Sequence, residues 1–206
     1  PLVNASPAAA RGYVTFGCLN NFCKVNEPLL GLWAQILSLS KNSRILIVAP
    51  RGEARKRVHQ FMASRGIDTP RVQFTDFKER SLYLATYHDI DLCLDTFPYN
   101  GGTTTLEATW MGVPTISLAG QTAVSRGGLT ILSHLGLDQL VTTSPDEYVR
   151  IATDLAADHN KISQLRTELR DRMRNSPLMD GRAFAGDFED AYRRMWRSWC
   201  SSAVKL

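Results

Sequence analysis

The sequence predicts an α/β protein: a Rossmann-like parallel sheet with helices on both faces, followed by a C-terminal helical cap. Short apolar or β-branched runs alternate with helix-length amphipathic stretches from Tyr13 to Leu118, and such alternation belongs to parallel sheets whose crossovers are helices. Beyond Pro145 the strand formers thin out and three helical stretches follow. The 206 residues, 44% hydrophobic and 21% charged, suffice for the core of one ordinary domain.

Residues 1–12 read as a linker, because Asn4 to Ala10 is a run of small residues around Pro7. The opening at Pro1 suggests a piece of a longer protein. An apolar run from Tyr13 to Phe16, stopped at Gly17, is the first strand, and Glu27 to Leu37 then places Leu30, Trp33, Ala34 and Leu37 on one helical face. Ile45 to Val48 is the next strand, Glu53 to Ser64 a basic amphipathic helix ending at Gly66, and Val72 to Phe74 a third strand. A helix near Ser81 to Tyr87, a strand from Leu92 to Leu94, a helix from about Thr103 to Met111 and a strand from Thr115 to Leu118 complete a Rossmann-like domain over residues 13–144. Residues 145–206 hold helices at Pro145 to Ala156, Lys161 to Arg174 and Phe184 to Trp199. In the last of these Phe184, Phe188, Ala191, Tyr192, Met195 and Trp199 recur at three- and four-residue intervals, which predicts a stripe packed on the domain.

Composition removes several function classes. The net charge is +4, with basic residues at Arg51 to Arg57 and again at Arg166, Arg170, Arg172 and Arg174, where they alternate with acids. That spacing predicts a solvated helix face and no nucleic-acid partner. The longest apolar stretches, such as Leu29 to Leu37 and Val113 to Ala119, fall far short of the roughly 20 residues that span a bilayer. No membrane partner is expected, nor does a signal pattern open the chain. Cys18, Cys23, Cys93 and Cys200 are scattered, and His59, His88, His134 and His159 stand apart. They predict a reduced, cytoplasmic setting, with no metal site and no bound cofactor. No G-x-G-x-x-G opens the first helix, and neither a P-loop nor a G-x-S-x-G elbow occurs.

In an open parallel sheet ligands bind beyond the carboxyl ends of the strands. The run Asp95 to Thr105 leaves a strand, turns through Gly101 and Gly102 and opens a helix with Thr103, Thr104 and Thr105. Free helix-start amides, close backbone approach at glycine and threonine hydroxyls together suit a diphosphate. Glu107, one turn further on, is placed to accept from both hydroxyls of a ribose. The same residues read equally well as a turn, an N-cap and an early-turn acid. A second loop, Leu19 to Lys24, carries a lysine able to reach the same crevice, where an ammonium could stabilise a departing nucleoside diphosphate without a metal. A lone loop lysine is also compatible with simple solvation.

The run Leu94 to Thr105 followed by Trp110-Met111-Gly112-Val113-Pro114 resembles the O-GlcNAc transferase family, including its plant relative SPINDLY. Asn20 to Lys24, Leu118 to Gly120, Ser125-Arg126, Ser176-Pro177, Ala191-Tyr192 and Met195-Trp196 extend the resemblance over nearly the whole chain. It implies the C-terminal lobe of a metal-independent, two-lobed GT-B glycosyltransferase that binds a nucleotide-sugar donor, UDP-GlcNAc, and transfers the sugar to Ser or Thr of a protein acceptor. It further implies Lys24 on the diphosphate as the catalytic group, with Asn21 beside it in place of the animal glutamine. Asn100, Gly101, Gly102, Thr103 and Thr104 then fall around the phosphates and Glu107, an aspartate in animals, on the ribose. Gly102 stands where the animal enzymes carry a histidine, Tyr83 where a histidine stacks on the base, and Arg80 near it in place of a lysine. SPINDLY-like members share Phe97-Pro98-Tyr99 and use GDP-fucose, so a fucosyl donor is the alternative, and a non-catalytic nucleotide-binding scaffold is another. The N-terminal catalytic lobe and the tetratricopeptide repeats that hold the acceptor in the family are absent from these 206 residues, which implies a chain inactive by itself.

Overall fold

A computed structural model describes residues 1–203; the last three residues of the expected C-terminal unit lie outside the described residues. In chain order the elements are α1 (Pro7–Arg11), β1 (Val14–Cys18), α2 (Glu27–Leu39), β2 (Ser43–Val48), α3 (Glu53–Ser64), β3 (Val72–Thr75), α4 (Arg80–Thr86), β4 (Leu92–Leu94), α5 (Thr103–Trp110), β5 (Thr115–Leu118), α6 (Gly127–His134), β6 (Val141–Thr142), α7 (Pro145–Ala157), α8 (His159–Arg174) and α9 (Gly181–Ala203). The strands form one parallel sheet in the order β3-β2-β1-β4-β5-β6. Helices cover both faces, and the near-continuous apolar strands follow from burial on two sides: Phe16, Ile45, Leu92 and Ile116 are all fully buried.

Local chemistry sets the helix starts. The Asn26 side chain accepts from Leu29 N at 3.0 Å, with Pro28 in the first turn of α2. Ser144 caps α7 ahead of Pro145, and Asp158 accepts from Lys161 N at 2.8 Å to open α8. The α2 and α7 helices meet over the sheet through Trp33, whose Nε1 donates to the Tyr148 hydroxyl at 3.3 Å, both rings fully buried.

Three sequence expectations are corrected. Residues 1–12 are not a linker. Pro7 at the start, three alanines and Gly12 at φ +73° after the end are the makings of a short helix, and buried Asp91 accepts from Ala8 N at 3.0 Å and from Thr15 N at 2.9 Å. Arg166 does not lie on a solvated face. Its guanidinium is buried and donates to Asn4 O (2.7 Å), Ile90 O (2.8 Å) and Tyr87 O (3.1 Å). The aromatic stripe of α9 is not packed on the domain. Phe184, Phe188, Tyr192, Met195 and Trp199 are between 51% and 65% exposed, and α9 contacts the rest of the chain chiefly through the turn Pro177–Met179. Periodicity reports an amphipathic face without saying what covers it. Two elements had no sequence forecast, α6 and the two-residue β6.

Candidate functional site

The strand order reverses between β1 and β4, so the loops leaving these two neighbours open the crevice where ligands of doubly wound sheets bind. They meet directly. Lys24, in the helical turn Phe22–Lys24, donates from Nζ to the carbonyl oxygen of Asn100 at 2.9 Å and sits 4.1 Å from the centre of the Tyr99 ring. Asn21 is exposed at the start of that turn, where its side chain accepts from Cys23 N at 3.2 Å.

The loop from Asp95 to Gly102 is tied down at almost every residue. Asn100 is buried, and its side-chain amide donates to Thr96 O (2.8 Å) and Leu118 O (3.1 Å), so its contribution to the crevice is its backbone carbonyl. Gly101 is required by space. A Cβ there would lie 2.5 Å from Thr105 Oγ1, 2.7 Å from Thr104 Oγ1 and 2.9 Å from Asn20 Oδ1. Gly102 and Thr103 are exposed at the mouth, and among the described residues no side chain caps the start of α5, leaving its first amides open to a ligand. The hydroxyl of Thr104 donates to Asn20 Oδ1, joining the two loops again.

Further along α5, Glu107 accepts from Arg80 Nη1 of α4 at 2.9 Å. Tyr83 lies beside this pair. Its hydroxyl is 2.9 Å from that of Tyr87, and Tyr87 donates to Thr104 O at 3.1 Å. Burial pushes Tyr83 up, keeping its hydroxyl protonated. The candidate residues therefore form two connected groups on one crevice, one at Lys24, Gly101 and Thr104 and the other at Arg80, Tyr83 and Glu107. A groove of about 540 Å³ between α2 and α3 holds none of them.

Sequence reasoning did not single out Asn20, Tyr87 or Asp95. The available signal was a polar residue at the end of an apolar run, as Asn20 is two residues past β1 and Asp95 the first past β4. Asp95 is buried beneath the glycine turn. Its Oδ1 accepts from Gly101 N (2.6 Å), Thr96 N (2.8 Å) and Asn20 Nδ2 (3.2 Å), and its Oδ2 from Ser117 Oγ (2.7 Å). Desolvation pushes its carboxyl up to about 6 despite these donors. With the folded value above the unfolded one, the folded state holds the proton more tightly, and ionisation costs stability as pH rises from about 4 to about 6. Asp95→Asn keeps an acceptor for Gly101 and offers an N–H to Ser117. It should match the parent in urea denaturation near pH 4 and exceed it above pH 6 by up to roughly 3 kcal/mol; equal stability at both would show that the carboxylate is not desolvated.

A profile of glycosyl transferase family 41 matches residues 7–188. The chain is 37% identical over 203 residues to the Arabidopsis thaliana protein SPINDLY, described as a probable UDP-N-acetylglucosamine--peptide N-acetylglucosaminyltransferase, covering 97% of this chain and 22% of that protein. A UDP-N-acetylglucosamine--peptide N-acetylglucosaminyltransferase of Caenorhabditis elegans is 26% identical over 186 residues, covering 90% of this chain and 16% of that one. Among solved structures, a mutant of the Thermobaculum terrenum O-GlcNAc transferase superposes with a TM-score of 0.87 at 37% identity, over 93% of this chain and 38% of that chain. The chain thus spans about a fifth of the length of the curated relatives it matches.

Proposed function

The chain belongs to glycosyl transferase family 41 and has the fold of the C-terminal GT-B lobe, and on that premise we propose that it is the donor-binding lobe of a protein O-linked glycosyltransferase. The reaction is transfer of GlcNAc from UDP-GlcNAc to Ser or Thr hydroxyls of a protein. The observation that carries this reading is the meeting of Lys24 with the glycine-threonine turn at the strand reversal.

As the bond from the sugar to the diphosphate breaks, negative charge grows on the departing UDP. Lys24 and the open amides of α5, with the hydroxyl of Thr103 and that of Thr104 once it exchanges Asn20 for the ligand, supply positive potential where that charge appears. These groups suffice for a leaving group without a metal ion, and no metal or cofactor is part of the proposal. Gly101 and Gly102 let the phosphates approach the backbone, and Asn21 borders the same end. Glu107 takes the ribose hydroxyls, exchanging its contact with Arg80 for the ligand, while Arg80 and Tyr83 face the base. The acceptor protein and the groups that activate its hydroxyl belong to other parts of the full-length protein, including a repeat domain. A cytoplasmic setting is proposed from the scattered cysteines; separately, among the described residues no helix is long and apolar enough to cross a membrane.

Calorimetric titration of the full-length protein with UDP, UDP-GlcNAc, GDP and GDP-fucose tests the donor. The uridine pair should bind, equally well with EDTA present, and Glu107→Ala should weaken it by about tenfold or more through loss of the ribose bonds. Preference for the guanine pair would replace UDP-GlcNAc by a fucosyl donor, and binding of none would remove the nucleotide-sugar reading.

A further inference from the structure

The carbonyl that holds Lys24 and the N–H held by Asp95 are the two ends of a single peptide group. Asn100 O accepts from Lys24 Nζ at 2.9 Å, and Gly101 N, across the same planar bond, donates to Asp95 Oδ1 at 2.6 Å. A peptide plane is rigid, so fixing one end fixes the direction of the other. We propose that Asp95 is a positioning residue for Lys24, gripping the N–H of the Asn100–Gly101 peptide and thereby aiming its carbonyl at the ammonium.

Asp95 is well placed to fix that plane. It follows β4 directly, and its own carbonyl accepts from the Tyr148 hydroxyl at 3.2 Å while its N–H donates to Ile116 O at 3.0 Å. Tyr148 in turn takes the Trp33 N–H, so the grip runs back into the centre of the core. The neighbouring helix packs close against the carboxylate and admits only glycine there: a Cβ on Gly128, near the start of α6, would lie 2.7 Å from Asp95 Oδ2 and 2.0 Å from Ser117 Oγ. From the other side Asn100 N donates to Val124 O at 2.9 Å, holding the peptide's N-terminal neighbour. The carboxylate also takes Asn20 Nδ2, and the other end of that amide takes the Thr104 hydroxyl. One buried acid thus organises the lysine and the threonine of the phosphate end without reaching the crevice itself.

The functional half of this inference rests on the reading of Lys24 as the diphosphate ligand; the hold on Lys24 does not. Two measurements on the full-length protein keep them apart. In competitive acetylation read by peptide mass spectrometry, Asp95→Ala should raise the labelling rate of Lys24 by about fivefold or more, whereas Asp95→Asn, which retains an acceptor for Gly101, should leave it near the parent value. Should the alanine variant fail to fold, Asp95→Ser serves, since it keeps a polar group in the buried site while its hydroxyl stops one bond short of the position from which Oδ1 accepts the Gly101 N–H. In turnover with UDP-GlcNAc, Asp95→Ala should lower kcat more than it raises KM, Asp95→Asn should restore most of the rate, and in a Lys24→Ala background the loss from Asp95→Ala should shrink to less than about threefold. Unchanged Lys24 labelling in a folded Asp95→Ala or Asp95→Ser variant, or losses that multiply in the double variant, would overturn the positioning role. Faster labelling in a protein that transfers no sugar would leave that role standing and overturn the glycosyltransferase reading.

Discussion

Lys24→Ala lowers kcat of the full-length protein by about two to three orders of magnitude, the range seen when a single preorganised donor to a developing anion is removed. The expected size follows from placement. The ammonium is fixed before any ligand arrives, by the Asn100 carbonyl at 2.9 Å and the face of Tyr99 at 4.1 Å, so little reorganisation is needed when charge appears on the leaving diphosphate. The donor's diphosphate is already anionic, so part of the loss falls on affinity, but the added charge of bond breaking exists only in the transition state and its share falls on kcat. Initial rates over a range of UDP-GlcNAc concentrations, at saturating acceptor, separate the two. Full turnover in the alanine variant would remove Lys24 from the chemistry and with it the reason for reading the β1 loop as half of the site.

Five of the six strands, every helix but α1 and α6, and the two loops that meet at the strand reversal were legible in the sequence because each rests on short-range pattern. β-branched runs gave the strands, helical periodicity gave α2 and α3, and two glycines before three threonines marked the start of α5. What was not legible depends on contacts between residues far apart in the chain. The linker reading of residues 1–12 weighed small residues and Pro7 as flexible, but Asp91 and Arg166, about 80 and 160 positions away, hold that segment in place. The arginine spacing of α8 was read as uniformly solvated, although one of the four, Arg166, faces inward. Asp95 escaped notice for the same reason: a carboxylate after a strand looks like ordinary loop chemistry until the Gly101 and Thr96 amides and the Ser117 hydroxyl are seen to converge on it. The stripe of α9 failed differently. Its period was read correctly, and only its partner was assumed.

Arg166→Ala destabilises the protein by about 3–5 kcal/mol, a loss typical of breaking a buried, hydrogen-bonded charge site from one side. Arg166 is 1% exposed, and its fork donates to the backbone carbonyls of Asn4 and Ile90 and shares that of Tyr87 with the Ile90 N–H. Burial holds its guanidinium below the usual arginine range, with nearby Asp91 opposing that shift. Truncation therefore strands acceptors and opens a cavity at once. The effect should reach the site by a short path. Tyr87, whose carbonyl Arg166 holds, carries the hydroxyl that reaches Tyr83 and Thr104 O, so the base end and the first turn of α5 lose their support from below. Urea denaturation should show the stability loss, limited proteolysis should cut first within residues 1–12 as the segment comes free, and UDP affinity should fall although no ligand contact has been removed. A stability loss under about 1 kcal/mol would mean that water replaces the guanidinium at these carbonyls, and that Asp91, His88 and Asp89 suffice to hold the N-terminal segment.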